Sequence, residues 1–196
     1  MDHASEKTSR KPRSDSLRNR EQLLVAARDV FSVGGPDASL EAVARSAGVG
    51  IGTLYRHFPT RESLFQAVYR REVDQLVELA KSLAAERPPL EALRLWLHAN
   101  IGMVATKKGM LAALAPAAGS STELFAYSAA QLGRSVGDLM KAAIAAGEIR
   151  DDIASEDVMR ALIGMCYTRE QPGWQETVIR LVDVFVDGLR LRPEPD

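Results

Sequence analysis

One cysteine in 196 residues leaves Cys166 without an intramolecular partner, so no disulfide framework holds this chain. No N-terminal apolar run resembles a secretion signal, and no stretch of about 20 apolar residues could span a bilayer. These absences set the expectation of a soluble, cytoplasmic protein that contacts no membrane. Strand and hairpin signals are missing, and no internal repeat is evident. The three histidines, His3, His57 and His98, show no metal-ligand spacing relative to one another or to Cys166. There is no nucleophile elbow and no paired-carboxylate constellation. The Gly48–Gly52 stretch GVGIG follows a helical pattern rather than a strand and lacks the full G-x-G-x-x-G spacing of a dinucleotide fingerprint. The chain is therefore not expected to be an enzyme.

What is present is helical periodicity and an uneven charge. At 46% hydrophobic and 26% charged, the chain has the composition of a folded domain with a sizeable core. Residues 1–71 hold 12 Lys/Arg against 8 Asp/Glu and residues 72–196 hold 13 against 18, so a +4 segment precedes a −5 one. A polyanion would meet only the first of these. Residues 1–18 are polar and aperiodic, with Lys7, Arg10, Lys11, Arg13 and Arg18, and read as a disordered basic arm. From about Arg20, Leu23, Ala27, Val30 and Phe31 fall at i, i+4, i+7 and i+8, and Gly34-Gly35-Pro36 ends that helix.

Residues 39–62, SLEAVARSAGVGIGTLYRHFPTRE, carry the most information. Ser39 is the expected N-cap of a short amphipathic helix on Leu40, Val43 and Ala44, with Glu41 in its first turn. A glycine turn follows, then a second short helix ending in Phe58. Two short helices across such a turn have the form of a helix-turn-helix, whose second helix enters the DNA major groove. Leu54 and Phe58, at i and i+4, anchor that helix inward. Thr53, Tyr55 and His57 then offer hydrogen bonds to phosphate, and Arg56 can address phosphate or guanine edges. Gly50 and Gly52 leave room for the DNA backbone, and Arg61 can reach a phosphate from the start of the next helix.

Helices are further expected over 61–85, 90–106, 108–114, 123–146, 155–168 and 174–191, giving an all-α chain of about nine helices. The assigned segments are 1–18 as the arm, 19–65 as the helix-turn-helix domain with its lever helix running to about 86, and 66–191 as an effector-binding and dimerisation domain.

The run from Arg20 to Tyr69 resembles the DNA-binding domain of TetR-family transcriptional regulators. The matching pieces are LLVAARDVFSVGG, SLEAVARSAGV, TLYRHF and RESLFQAV. WLHANIGMVATKKGMLAALAP, in the second half, is similar to one subgroup of that family. The resemblance implies a homodimer of all-helical subunits, an operator of double-stranded DNA, a small-molecule effector and no cofactor. It also implies that Gly52, Thr53, Tyr55, His57 and Arg61 sit where DNA is usually touched, with Arg56 at a variable position suited to discrimination.

In the second half, Trp96, Asn100 and Met103 share one helix face, and Tyr127, Gln131 and Arg134 share another. With Met159, Leu162 and Cys166 they are the expected lining of a pocket for a largely apolar ligand with one polar handle. The last helix is apolar on two sides, so one side is expected to face its own subunit and the other a partner. Ile179, Val182 and Val186, with the small Ala161 and Gly164 on the preceding helix, are the expected two-fold interface. The reading is a ligand-responsive regulator, most simply a repressor released from a palindromic operator by a small molecule. The competing reading is a small-molecule-binding or catalytic all-α protein whose helix-turn-helix is incidental.

Overall fold

A computed structural model describes residues 10–34, 38–114, 122–167 and 173–191, with side-chain detail for most of them. The described residues form eight α-helices: α1 Arg10–Gly34, α2 Leu40–Ser46, α3 Ile51–His57, α4 Arg61–Glu86, α5 Pro89–Leu114, α6 Thr122–Ala145, α7 Ser155–Cys166 and α8 Trp174–Gly188. The only bridge among them is an isolated antiparallel one between Ile149 and Arg190. The all-α expectation holds, with eight helices in place of about nine.

Two differences account for the changed boundaries. The segments expected as separate helices over 90–106 and 108–114 are one helix, α5. Lys107-Lys108-Gly109 contains no proline, and a single internal glycine weakens a helix by only about 1 kcal/mol relative to alanine, which packing overrides. Helix α1 begins at Arg10, about ten residues ahead of the sequence-based start. Pro12 falls in its first turn, where the missing N–H would have had no intrahelical partner. Residues 10–18 of the expected disordered arm are thus helical, and residues 1–9 lie outside the described residues.

The chain divides into two compact units: Met1–Val68 with Lys108–Ala117, and Tyr69–Lys107 with Ala118–Asp196. The divisions fall inside α4 and inside α5. The first unit therefore takes in the end of α5, which the linear reading gave to the second domain.

In the first unit, α1, α2 and α3 pack on one another. Its core holds Leu23, Ala27 and Phe31 from α1, Leu40 and Val43 from α2, Leu54 and Phe58 around α3, and Leu64 and Phe65 from α4. The Ser39 hydroxyl accepts from the Ala42 amide at 3.0 Å and caps α2 as expected. Gly48 closes the turn with φ of 68°, where a β-carbon would be strained. Thr60 and Ser63 cap α4 reciprocally: the Ser63 amide donates to Thr60 Oγ1 at 3.0 Å and the Thr60 amide to Ser63 Oγ at 3.2 Å.

In the second unit, α7 packs on both α6 and α8. Trp96, Leu93, Leu97 and Ile101 of α5, Val136 and Leu139 of α6, Val158 and Leu162 of α7, and Val178, Val182 and Val186 of α8 are buried in its core. Arg94 ties α5 to α8, donating to Asp183 Oδ1 at 2.9 Å and also to Asp187, and His98 Nε2 lies 2.9 Å from the same Asp183 oxygen.

Candidate functional site

Two places concentrate polar groups on an otherwise apolar framework: the outer face of α3 in the first unit and a cavity in the second. Helix α3 is only seven residues long, so its orientation comes from what it buries. Leu54 and Phe58 are the inward anchors, as their spacing predicts, and the Arg20 guanidinium stands 5.3 Å from the centroid of the Phe58 ring. Gly52, Tyr55 and Arg56 are exposed, while Thr53 and His57 are half-buried. Tyr55 is 46% exposed, so its ring and hydroxyl are open to a partner on this face.

Arg56 lies back along its own helix, donating from Nε to the Gly52 carbonyl at 3.3 Å and from Nη2 to Thr53 Oγ1 at 2.8 Å. The pair Thr53–Arg56 thereby presents a cation and a hydroxyl as one exposed polar group. Arg61 behaves differently. Its Nη2 donates to the Ala38 carbonyl, its guanidinium stands 5.6 Å from the Phe31 ring centroid, and its Nε is buried without a hydrogen-bond partner. This side chain ties α4 to the residue before the Ser39 cap, so the first turn of α4 is positioned by Arg61 instead of presenting it outward.

The cavity of the second unit has a volume of about 420 Å³. Helix α5 contributes Asn100, Met103, Val104 and Lys107, α6 contributes Ser128, Leu132 and Gly133, and α7 contributes Met159, Leu162 and Ile163. Tyr69 of α4 and Tyr167, just past α7, complete the aromatic part. Tyr69 Oη and Ser128 Oγ are hydrogen-bonded at 3.0 Å in a buried setting. Burial pushes the Tyr69 phenol above its ordinary range, the Ser128 hydrogen bond opposing it, so this residue is a neutral hydroxyl. The Lys107 ammonium stands 5.8 Å from the Tyr69 ring centroid, and burial pulls its pKa down.

Of the nine residues expected to line a pocket, Asn100, Met103, Met159 and Leu162 do so. The other five lie elsewhere, each for a visible reason. Trp96 is fully buried and its indole N–H donates to the Leu76 carbonyl at 2.8 Å, so its ring is core. Cys166 is likewise buried away from the cavity. Tyr127 is exposed beneath the Arg70 guanidinium, 5.6 Å from its ring centroid. Gln131 and Arg134 line a separate hollow of about 230 Å³ with Val77 and Ala80. The inward face of α6 is set by Ser128 and Leu132, one position on from the Tyr127–Gln131 face read from the sequence.

Lys107, Tyr69, Ser128 and Tyr167 were not foreseen. Lys107 is seven residues beyond Asn100 and so on its face, a signal present in the sequence. Tyr69 belongs to a helix whose start reads as part of the DNA-binding head, which hid its place in the second unit.

The expected interface residues divide as well. Val182 and Val186 are buried inside the subunit with Val178 at i, i+4 and i+8, which corrects their assignment to a partner-facing side. Ile179 and Ala161 are half-buried and Gly164 is exposed. The apolar side chains that α8 leaves in solvent are Leu181 and Val184, at 44% and 72% exposure, and α7 leaves Ile163.

Among the described residues no group of three His, Cys, Asp or Glu side chains could hold a metal ion, and no helix is long and apolar enough to cross a membrane.

Comparison with known proteins gives each half of the chain a match. Residues 23–68 match the model for bacterial regulatory proteins of the tetR family, and residues 88–191 match the C-terminal domain of SbtR-like transcriptional regulators. An HTH-type transcriptional regulator of Staphylococcus aureus is 36% identical over 83 residues, 41% of this chain and 44% of that protein. UidR of Escherichia coli, also an HTH-type transcriptional regulator, is 36% identical over 75 residues, 38% of this chain and 35% of that one. The chain thus spans less than half the length of the curated relatives it matches. Solved structures extend the likeness: a TetR transcriptional regulator from Streptomyces coelicolor is 45% identical with a TM-score of 0.79, covering 89% of this chain and 99% of that one. A TetR regulatory protein from Mycobacterium vanbaalenii is 32% identical with a TM-score of 0.73, covering 91% and 99%.

Proposed function

The chain belongs to the TetR family of bacterial regulatory proteins, and we propose that it is a homodimeric repressor that leaves its operator when a small molecule fills the cavity of the second unit. The observation that carries the DNA-binding half is the outer face of α3. Thr53, Tyr55, Arg56 and His57 point away from a core sealed by Leu54 and Phe58, and Gly52 leaves the helix start open to a close approach. Two such helices, one per subunit, enter successive major grooves about 34–36 Å apart. The polar groups of this face hold the backbone, and Arg56 reads bases once released from its hydrogen bonds along α3. Arg61 serves by fixing the entry of α4 through Ala38 rather than by contacting phosphate.

The cavity supports the receptor half of the reading. Helix α4 supplies Tyr69 to the cavity and Leu64 and Phe65 to the core of the first unit. Helix α5 supplies Lys107 to the cavity and, two residues on, Gly109 to the first unit. A ligand that reorients either helix acts on the same covalent rod that shapes the head. Ligand and DNA then oppose each other by one coupling free energy, each weakening the other by the same factor. The exposed Leu181 and Val184 support a two-fold partner on α8.

The test is DNA binding by fluorescence anisotropy, using the DNA upstream of the protein's own gene at fixed salt. Tyr55→Ala abolishes the binding while leaving the helical content and dimer unchanged. Unaltered affinity would place the reading head elsewhere. Absence of DNA binding at every salt concentration, together with turnover of a bound molecule, would favour the catalytic reading.

A further inference from the structure

We propose that the cavity of the second unit selects its ligand by one hydrogen-bond donor, such as the hydroxyl of a compact apolar alcohol, which meets the side-chain oxygen of Asn100. This rests on the reading of that unit as an effector receptor and names the group by which the effector is recognised.

Asn100 is fully buried on α5 and lines the cavity. Its Nδ2 donates to the Trp96 carbonyl at 3.1 Å. A carbonyl only accepts, so this bond fixes which edge of the amide is nitrogen and which is oxygen. The nitrogen is turned back on its own helix. Oδ1 is then the edge directed away from it, and it is buried without a hydrogen-bond partner. A buried acceptor left unmade costs free energy, and native side chains are rarely left so. At the wall of a cavity, a group that arrives with the ligand accounts for it. The amide cannot turn over to meet an acceptor without giving up the Trp96 carbonyl. The site therefore favours a ligand that donates over one that only accepts, because the wrong ligand leaves the buried group unpaired.

The other polar side chains of the wall are engaged within the protein. Tyr69 Oη and Ser128 Oγ are bonded to each other, and Lys107 lies against the Tyr69 ring. Glu156 accepts from the Ser155 hydroxyl at 3.2 Å, Arg160 is paired with Asp157, and Tyr167 also has an interaction of its own. Around Asn100 the wall is apolar: Met103 and Val104 of α5, Leu132 of α6, and Met159 and Leu162 of α7. The two methionines let it adapt to an irregular shape. At about 420 Å³ the cavity lies toward the lower end of ligand sites, which span roughly 300–1,000 Å³. At the roughly 30 Å³ that a water takes in the liquid, it has room for about a dozen non-hydrogen atoms, the size of a bicyclic alcohol.

The experiment measures binding to the full chain by calorimetry, with matched compounds on a compact and an extended frame. These are 1-tetralol, 1-tetralone and 1-methoxytetralin, and decan-2-ol, decan-2-one and 2-methoxydecane. Within each set the frame is kept and the donor is lost. The alcohols are expected to bind about tenfold more tightly than their ketones and ethers. Asn100→Leu is expected to erase that preference while the ketones still bind. Gly133→Trp is expected to abolish all binding: Gly133 lines the cavity, and a β-carbon there meets nothing within 4 Å, so the indole has space to fill. The comparison within each set is made in the unmodified protein, so it stands whether or not Asn100→Leu folds. If the compounds bind and Gly133→Trp blocks them, but ketone or ether equals the alcohol, the donor is refuted and the receptor reading stands. If no compound binds, or Gly133→Trp leaves binding unchanged, the receptor reading of this cavity falls and the inference with it.

Discussion

A β-carbon on Gly109 would stand 1.8 Å from the carbonyl oxygen of Phe31 and 2.9 Å from its carbonyl carbon. Within the first unit, α5 therefore meets α1 backbone to backbone, and only the absence of a side chain permits it. The obstacle is main chain, which cannot swing aside as a flexible side chain does. Gly109→Ala is expected to destabilise the protein by about 1–3 kcal/mol, the usual cost of overpacking. Gly102, on the same helix, is exposed with nothing within 4 Å of a β-carbon. Gly102→Ala is expected to stabilise by up to about 1 kcal/mol through helix propensity alone. Thermal melts of the two variants should move in opposite directions. A neutral Gly109→Ala would mean that α5 does not approach α1 this closely in solution.

Adjacent residues in α3 should separate folding from recognition. Leu54 is fully buried, so Leu54→Ala is expected to cost about 2–5 kcal/mol by opening a cavity under the head. Tyr55 is exposed, so Tyr55→Ala is expected to change stability by no more than about 0.5 kcal/mol. Its effect falls on DNA affinity instead. Melting curves paired with anisotropy titrations at one salt concentration distinguish the two losses, since phosphate contacts weaken as salt rises.

The head was legible because its signals are local. Ser39 caps the helix it precedes, Gly48 takes the positive φ that a tight turn needs, and Leu54 and Phe58 fall one turn apart. The cavity was only half legible because its lining depends on helix rotation. On α6, reading Tyr127 and Gln131 as inward instead of Ser128 and Leu132 is an error of one residue, or about 100°. Periodicity finds an apolar stripe but cannot say which stripe meets a cavity and which meets core, so Trp96 and Asn100 looked alike although one is packed and the other has an unmade hydrogen bond. On α8, small β-branched residues and large ones alternate around the helix, and packing alone decided that Val178, Val182 and Val186 point inward. The expected break between 106 and 108 is absent in α5, and the close approach of Gly109 to Phe31 was not legible because the carbonyl it accommodates comes from a residue far away in sequence.

Stability at low pH should report the tie between α5 and α8. The Arg94 hydrogen bond holds the Asp183 carboxylate below its ordinary value of 3.8, burial opposing and His98 adding to the effect. A carboxylate depressed in the folded state contributes stability that is present above the unfolded value and is lost as pH falls through the folded one. The melting temperature is therefore expected to drop below about pH 4, with part of that drop absent in Asp183→Asn. The Asp183 side chain is 39% exposed, so solvent screening limits the contribution to about 1 kcal/mol or less. Melts from pH 7 to pH 3 at constant ionic strength measure it. Equal slopes in the parent and Asp183→Asn would show that the Arg94 contact is not maintained in solution.

Leu181 and Val182 are neighbours on α8 with opposite surroundings, and the two positions test the proposed pairing of α8 with a second copy. Val182 is buried in its own subunit, so Val182→Asp puts an unpaired carboxylate among apolar groups and is expected to unfold the second unit. Leu181 and Val184 are in solvent, so Leu181→Asp with Val184→Asp should leave the subunit folded. If α8 pairs with a second copy through this side, the double variant places four carboxylates at a two-fold interface, where like charges repel and lose hydration. Light scattering should then give the monomer mass with unchanged helical content, and DNA affinity should fall because one head reads only half a palindrome. A dimer that survives the double variant would shift the interface toward the exposed Gly164 and Ile163 of α7, where the same substitution strategy, Ile163→Asp, would locate it.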